Sequence, residues 1–122
     1  MRLEKLMNLK IKGGAGMIYT LDELKMKINP VAQKYQLRAV YLFGSYARNE
    51  ATDTSDVDIL IDRNGSIIRG MFDMGGLYND LRESVGKEID LVTIQTLEQQ
   101  STQQRTPWFV DNLRREMVKL YE

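Results

Sequence analysis

The chain reads as a small α/β (α+β) domain, a few-stranded mixed sheet with helices mainly on one face. Three observations predict this. Apolar runs of strand length (39–43, 57–61 and 88–94) are separated by turn-forming residues. Longer stretches of helical periodicity lie around them, in the order helix, strand, strand, helix, strand, helix. At 122 residues, the chain is long enough for one core and too short for a second of comparable size.

Residues 1–16, closing on Gly13-Gly14-Ala15-Gly16, read as a flexible leader, and Met17 offers an alternative start that would make them an extension. The domain is then 17–122. Thr20-Leu21-Asp22-Glu23 has the form of a capping box opening the first helix, with Leu21, Leu24, Ile28, Val31 and Tyr35 on one face. Pro30 should kink that helix or begin a second, because its ring removes a backbone hydrogen bond. Ala39–Phe43 is the first predicted strand. Val57–Ile61 is the second, closed by the turn Asp62-Arg63-Asn64-Gly65.

A second helix is predicted over Ile67–Val85, with Ile68, Met71, Phe72, Leu77, Leu81 and Val85 as its apolar set. Gly75-Gly76 should weaken or bend it, since each mid-helix glycine costs about 1 kcal/mol against alanine. Gly86-Lys87 ends it, and Glu88–Ile94 is the third strand. Gln95–Thr106 is predicted as a loop, with room for a short helical turn. Pro107 then opens a last helix carrying Trp108, Val110, Leu113, Met117 and Leu120 to the C-terminus. Its apolar residues would serve the core or a contact with a partner or a second copy.

Composition removes several chemistries. Without cysteine there are no disulfides or thiolates, and without histidine there is no imidazole catalysis or His-ligated zinc. Any catalytic base must be a carboxylate, lysine or tyrosine. The 17 basic and 17 acidic residues balance, which gives no whole-chain case for nucleic-acid binding. Glu50–Asp62, however, carries five carboxylates and no basic residue. No apolar run approaches the ~20 residues needed to cross a bilayer, and no signal-peptide core is visible, so a cytoplasmic protein is expected.

Within that acidic stretch, Asp56 and Asp58 lead into Ile59-Leu60-Ile61. Strand residues two apart point the same way, with Cα atoms roughly 6.6 Å apart. Two carboxylates so placed suit a hard divalent cation such as Mg²⁺ or Mn²⁺ better than a core; a solvated acidic loop is the ordinary alternative. Upstream, Gly44-Ser45 ends the first strand in a turn where backbone amides and a hydroxyl could grip a phosphate. Arg48 is the nearest cation with a fork matched to phosphate or carboxylate, and its ordinary alternative is a surface pair with Glu50 or Asp53. Asp90, between Ile89 and Leu91, would be expensive to bury unpaired; an edge-strand aspartate facing water is the alternative. Ser55 reads as a local turn cap and Tyr46 as packing.

Gly44-Ser45-Tyr46-Ala47-Arg48, a seven-residue spacer, Asp56-Val57-Asp58 and later Asp90 resemble the signature of the DNA-polymerase-β-like nucleotidyltransferases. The resemblance runs over roughly residues 18–121 and is strongest to the minimal nucleotidyltransferases of prokaryotes. The combined pattern is specific, although Gly-Ser or Asp-x-Asp alone would be weak. It implies a palm-like core and a catalytic, metal-binding triad of Asp56, Asp58 and Asp90. It also implies nucleotide binding through Gly44, Ser45 and Arg48, and transfer of a nucleoside monophosphate, AMP from ATP, to a hydroxyl. Minimal members often act as antitoxins beside a small helical HEPN-type toxin, which makes such a toxin the expected partner and acceptor. A non-catalytic antitoxin, or a degenerate triphosphate-binding protein, is the alternative. An aminoglycoside-type enzyme is disfavoured by the little mass left for an acceptor pocket. The one departure is Asn49, where the family usually has glycine. Asparagine tolerates positive φ, so the turn should survive.

Overall fold

The computed structural model describes residues 18–97 and 114–122. Seven elements follow in order: α1 (Leu21–Lys34), β1 (Ala39–Phe43), the short helix α2 (Gly44–Ala47), β2 (Val57–Asp62), α3 (Met71–Val85), β3 (Ile89–Thr93) and β4 (Val118–Tyr121). The strands form one mixed sheet ordered β3-β2-β1-β4. β1 is antiparallel to both its neighbours, and β2 runs parallel to β3 with α3 as the crossover.

Alternation along the strands sorts side chains between two faces. Val40, Leu42, Val57, Ile59, Ile61 and Leu120 face one way and pack with Leu24, Ile28 and Val31 of α1 and Leu77, Leu81 and Val85 of α3. The opposite face holds a smaller cluster in which Leu60 and Leu97 are buried against Tyr41, Phe43, Val92, Ile94 and Met117. Helices mainly on one face is therefore the observed arrangement.

Local signals account for most boundaries. The capping box is present: the Glu23 amide donates to Thr20 Oγ1 at 3.1 Å, and the Thr20 amide donates to Glu23 Oε1 at 2.8 Å. Gly86 ends α3 at φ +76°, and Gly65 takes the same φ in the turn after β2, where the Asn64 amide donates to Asp62 Oδ1. The third strand is a residue shorter at each end than predicted, and β2 a residue longer.

Five expectations are corrected. Pro30 does not begin a second helix, since α1 continues through it to Lys34. Met26 and Pro30 are both exposed, so the carbonyl left without its donor can turn to water. α3 begins at Met71 rather than Ile67, and it also runs through Gly75-Gly76. Gly76 permits a close approach, since a Cβ there would lie 3.0 Å from the Tyr35 hydroxyl, which itself donates to Asp80 at 2.7 Å. Met71, Phe72 and Leu21 are exposed, not core, because each lies in the first turn of its helix, short of the packed interface.

The fifth correction is the C-terminal end, predicted as helix. Residues 114–116 are helical, but Val118–Tyr121 form a strand along the free edge of β1. The period-2 pattern burying Leu120, together with an unpaired central strand, outweighs helical spacing. Residues 94–97 are helical, in keeping with the short helical turn allowed for after the third strand, and Thr93 Oγ1 accepts from the Thr96 amide at 3.0 Å as an N-cap. The leader 1–16, the rest of the Gln95–Thr106 loop, and Trp108, Val110 and Leu113 lie outside the described residues.

Candidate active site

The end of β1 and the starts of β2 and β3 come together at one edge of the fold. Phe43 is opposite Asp58 in the β1–β2 pairing, and Asp58 is level with Asp90 in the β2–β3 pairing. Neighbouring strands run about 4.8 Å apart, and residues in register point to the same face. Asp58 and Asp90 therefore project side by side, on the face opposite α1 and α3. Asp56 lies one residue before β2 begins and is exposed. The pair predicted as strand neighbours is thus one strand residue and one loop residue, and the tighter strand relationship joins Asp58 to Asp90.

Asp58 is half-buried, and its carboxyl is pushed up to about 6 from 3.8. Burial is the main cause, followed by repulsion from Asp90 and then Asp56, with Arg48 partly offsetting them. Gly44 closes the site on the β1 side. It adopts φ +71°, and a Cβ built there would sit 2.0 Å from Asp58 Oδ2. Only glycine allows the carboxylate that close to the backbone. The Gly44-Ser45 turn of the sequence reading is the start of α2, where Phe43 provides no side-chain cap. The first amides of a helix have no intrahelical partner, so donors are presented beside the carboxylates.

Asn49 has φ +60°, and the Asn49 amide donates to the Tyr46 carbonyl. The turn expected to survive without glycine is intact. Arg48 Nε pairs with Glu50 Oε1 at 3.0 Å, as its ordinary reading predicted, and Nη1 pairs with Glu116 Oε1 at 3.2 Å. No pair with Asp53 forms. Glu116 was missed, since it lies 68 residues away and becomes a neighbour only because β4 docks on β1. Ser55 keeps its local role, its Oγ accepting from the Thr52 amide at 2.8 Å. Tyr46 is buried in the main core.

At the same end of the sheet, on the side of α3, lies an open groove of about 750 Å³, lined by residues of the β1–β2 loop, the end of α3 and the turn into β3. It includes Asp56 but none of Gly44, Asp58 or Asp90. Nothing in the sequence marks this groove, because its residues come from three separate segments.

A sequence profile of the family described as "Polymerase beta, Nucleotidyltransferase" matches residues 26–106, the part that builds β1 to β3 and holds every candidate residue named above. The chain belongs to the polymerase-β-like nucleotidyltransferases. Among curated relatives of this nucleotidyltransferase, "Putative protein adenylyltransferase MJ0435" of Methanocaldococcus jannaschii is 38% identical over 77 residues, which cover 63% of this chain and 81% of that protein. A solved structure described as "putative minimal nucleotidyltransferase" superposes with a TM-score of 0.62 at 26% identity, over 84% of this chain and 98% of its own. A toxin–antitoxin crystallised with AMP-PNP shares the fold, with a TM-score of 0.58 at 19% identity over 79% of this chain and 71% of its own. Among the described residues, no helix is long and apolar enough to cross a membrane.

Proposed function

We propose that this nucleotidyltransferase is a metal-dependent adenylyltransferase that moves AMP from ATP to a hydroxyl on a partner protein, acting as the antitoxin of a toxin–antitoxin pair. The observation that carries it is the Gly44–Asp58–Asp90 row, two in-register carboxylates beside uncapped backbone amides. The name of the 38%-identical relative supports a protein acceptor and AMP as the transferred group. The toxin–antitoxin assemblies among the structural neighbours support a toxin partner. A small helical toxin of the HEPN type is the partner this reading favours.

Among the described residues, no group of three carboxylates converges tightly enough to hold a metal ion alone. Substrate phosphates and water would therefore have to complete the coordination of any Mg²⁺ or Mn²⁺ bound there. Burial first, and then repulsion from Asp90 and Asp56, raise the Asp58 carboxyl, and the repulsive part fits a site that receives positive charge. Asp56, Asp58 and Asp90 would hold the ions, which when bound would supply charge to the entering and leaving oxygens of an in-line displacement.

The chain's own residues do the rest. The amides at Gly44 and Ser45 bind phosphate oxygens of the triphosphate and orient the departing pyrophosphate. Asp90, the exposed member of the row, orients the acceptor hydroxyl and draws off its proton. Arg48, anchored by Glu50 and Glu116, stands ready to exchange one of these partners for a phosphate. Asn49 holds φ +60°, so the turn keeps the backbone shape a glycine would give it, which counts against the degenerate-site alternative. Incubation of the purified protein with MgATP and its co-expressed genomic neighbour, followed by intact-mass analysis, tests the reading. A gain of one AMP on the partner supports it. Copurification without the gain leaves a binding antitoxin, and neither result refutes both.

A further inference from the structure

We infer that Glu116 is a positioning residue of the nucleotide site. It keeps hold of one nitrogen of Arg48, while Glu50 is the partner that gives up its edge of the guanidinium to a phosphate of the donor. This rests on the adenylyltransferase reading above and brings the end of the chain into the site.

Arg48 is the C-cap of the short helix α2, and its charge partly offsets the carboxylates around Asp58, so the guanidinium lies within electrostatic reach of the row. Its Nε donates to Glu50 Oε1 at 3.0 Å and its Nη1 to Glu116 Oε1 at 3.2 Å. Nη2 makes no hydrogen bond among the described residues. A guanidinium grips a phosphate best through two parallel N–H groups on one edge. Nε and Nη2 form such an edge, and it is complete once Glu50 leaves Nε. Glu116 can stay on Nη1 throughout.

The two carboxylates differ in how they are held. Glu50 lies on the β1–β2 loop with its side chain 65% exposed, against 41% for Glu116. Its amide donates to the Ser45 carbonyl at 2.8 Å, so the backbone keeps its turn while the side chain swings into water. An ion pair so exposed is worth little, and exchanging it for a phosphate is easy. Glu116 is fixed from the sheet. Met117 after it packs with the cluster of Leu60 and Leu97, and Val118 pairs with Leu42 of β1. The next residue of β1, Phe43, is opposite Asp58. Glu116 and Asp58 are thus both placed by β1, and an arginine held by Glu116 keeps a set position relative to the carboxylate row.

Removing either carboxylate takes one negative charge from beside an anionic ligand, so simple electrostatics predicts tighter MgATP binding for both. Positioning predicts opposite signs. Calorimetric titration of MgATP into the full chain compares the wild type with Glu50→Ala and Glu116→Ala. Glu50→Ala should bind at least as tightly as the wild type, and Glu116→Ala at least threefold more weakly. Glu116→Gln, whose amide oxygen can still accept from Nη1, should recover most of that loss. In an Arg48→Ala background, Glu116→Ala should cause no further loss, whereas a last strand displaced from β1 would weaken binding with or without the arginine. Tighter binding by Glu116→Ala, weaker binding by Glu50→Ala, or a loss that persists without Arg48 overturns the inference. Failure of the wild type to bind MgATP would instead remove the adenylyltransferase reading on which the inference stands.

Discussion

Oδ2 of Asp58 occupies the space that a β-carbon on Gly44 would need, 2.0 Å from its ideal position. The end of β1 and the second residue of β2 are thereby locked together, so that a half-buried carboxylate lies against the backbone that starts α2. The relationship ties the glycine to the position of a candidate site carboxylate as well as to a turn.

Gly44→Ala should therefore damage the site more than the fold. The left-handed backbone costs an alanine about 1 kcal/mol, and the Asp58 carboxylate can swing away to relieve the clash at a similar cost. A total loss of roughly 1–3 kcal/mol is expected from urea denaturation. Metal-dependent ATP affinity should fall at least tenfold, on the order of the 1.4 kcal/mol that a displaced ligand readily costs. Full nucleotide affinity in this variant would show that the contact has no functional weight.

The raised Asp58 carboxyl sets a pH dependence with a definite sign. A group held near 6 in the folded protein and near 3.8 when unfolded takes up protons on folding between those values. Stability of the metal-free protein should then fall as pH climbs from about 4 to about 6, and level off above. Asp58→Asn should remove that slope and leave the protein more stable by roughly 1 kcal/mol at neutral pH, a figure discounted for screening at a half-exposed group. Parallel denaturation curves in EDTA, at intervals from pH 4 to 7.5, check it. An equal slope in both proteins would place the repulsion elsewhere.

Asp90 should separate binding from chemistry. Its carboxylate is exposed, and if it positions the acceptor hydroxyl as proposed, Asp90→Asn should retain ATP affinity within about threefold while kcat falls a hundredfold or more, as for an interaction made mainly in the transition state. Single-turnover AMP transfer beside calorimetric ATP binding distinguishes the two effects. Wild-type transfer would remove Asp90 from the catalytic set.

The two adjacent glycines of α3 should behave differently. A Cβ at Gly75 meets nothing within 4 Å, so Gly75→Ala should stabilise by about 1 kcal/mol through helix propensity. At Gly76 the Cβ would press on the Tyr35 hydroxyl at 3.0 Å, disturbing its bond to Asp80 and spending most of that gain. Thermal denaturation of the two variants should rank them in that order.

Where the sequence was legible, one local cause acted alone. β1 matches Ala39–Phe43 because its apolar run ends at a glycine required by Asp58, and the capping box at Thr20 and Glu23 fixes the start of α1. Asp58, Asp90 and Gly44 were legible through strand alternation and motif spacing, and Asn49 through its tolerance of positive φ. What escaped depended on distant partners. Val118–Tyr121 is a strand because β1 has a free edge to fill, and its four-residue period-2 pattern is too short to announce that alone. Pro30 and Gly75-Gly76 sit within continuous helices because tertiary packing outweighs a 1–3 kcal/mol local cost. The Arg48–Glu116 pair and the open groove arise from segments far apart in the chain.

Calorimetric titration of ATP, with Mg²⁺ and with EDTA, into the wild type and Asp58→Asn tests the central claim most directly. The carboxylate row should repel a bare triphosphate and accept one accompanied by metal. Wild-type affinity should therefore be at least tenfold higher with Mg²⁺, and Asp58→Asn should lose most of that metal dependence. Equal affinities in all four titrations would contradict a metal-assisted nucleotidyl-transfer site built on Asp58.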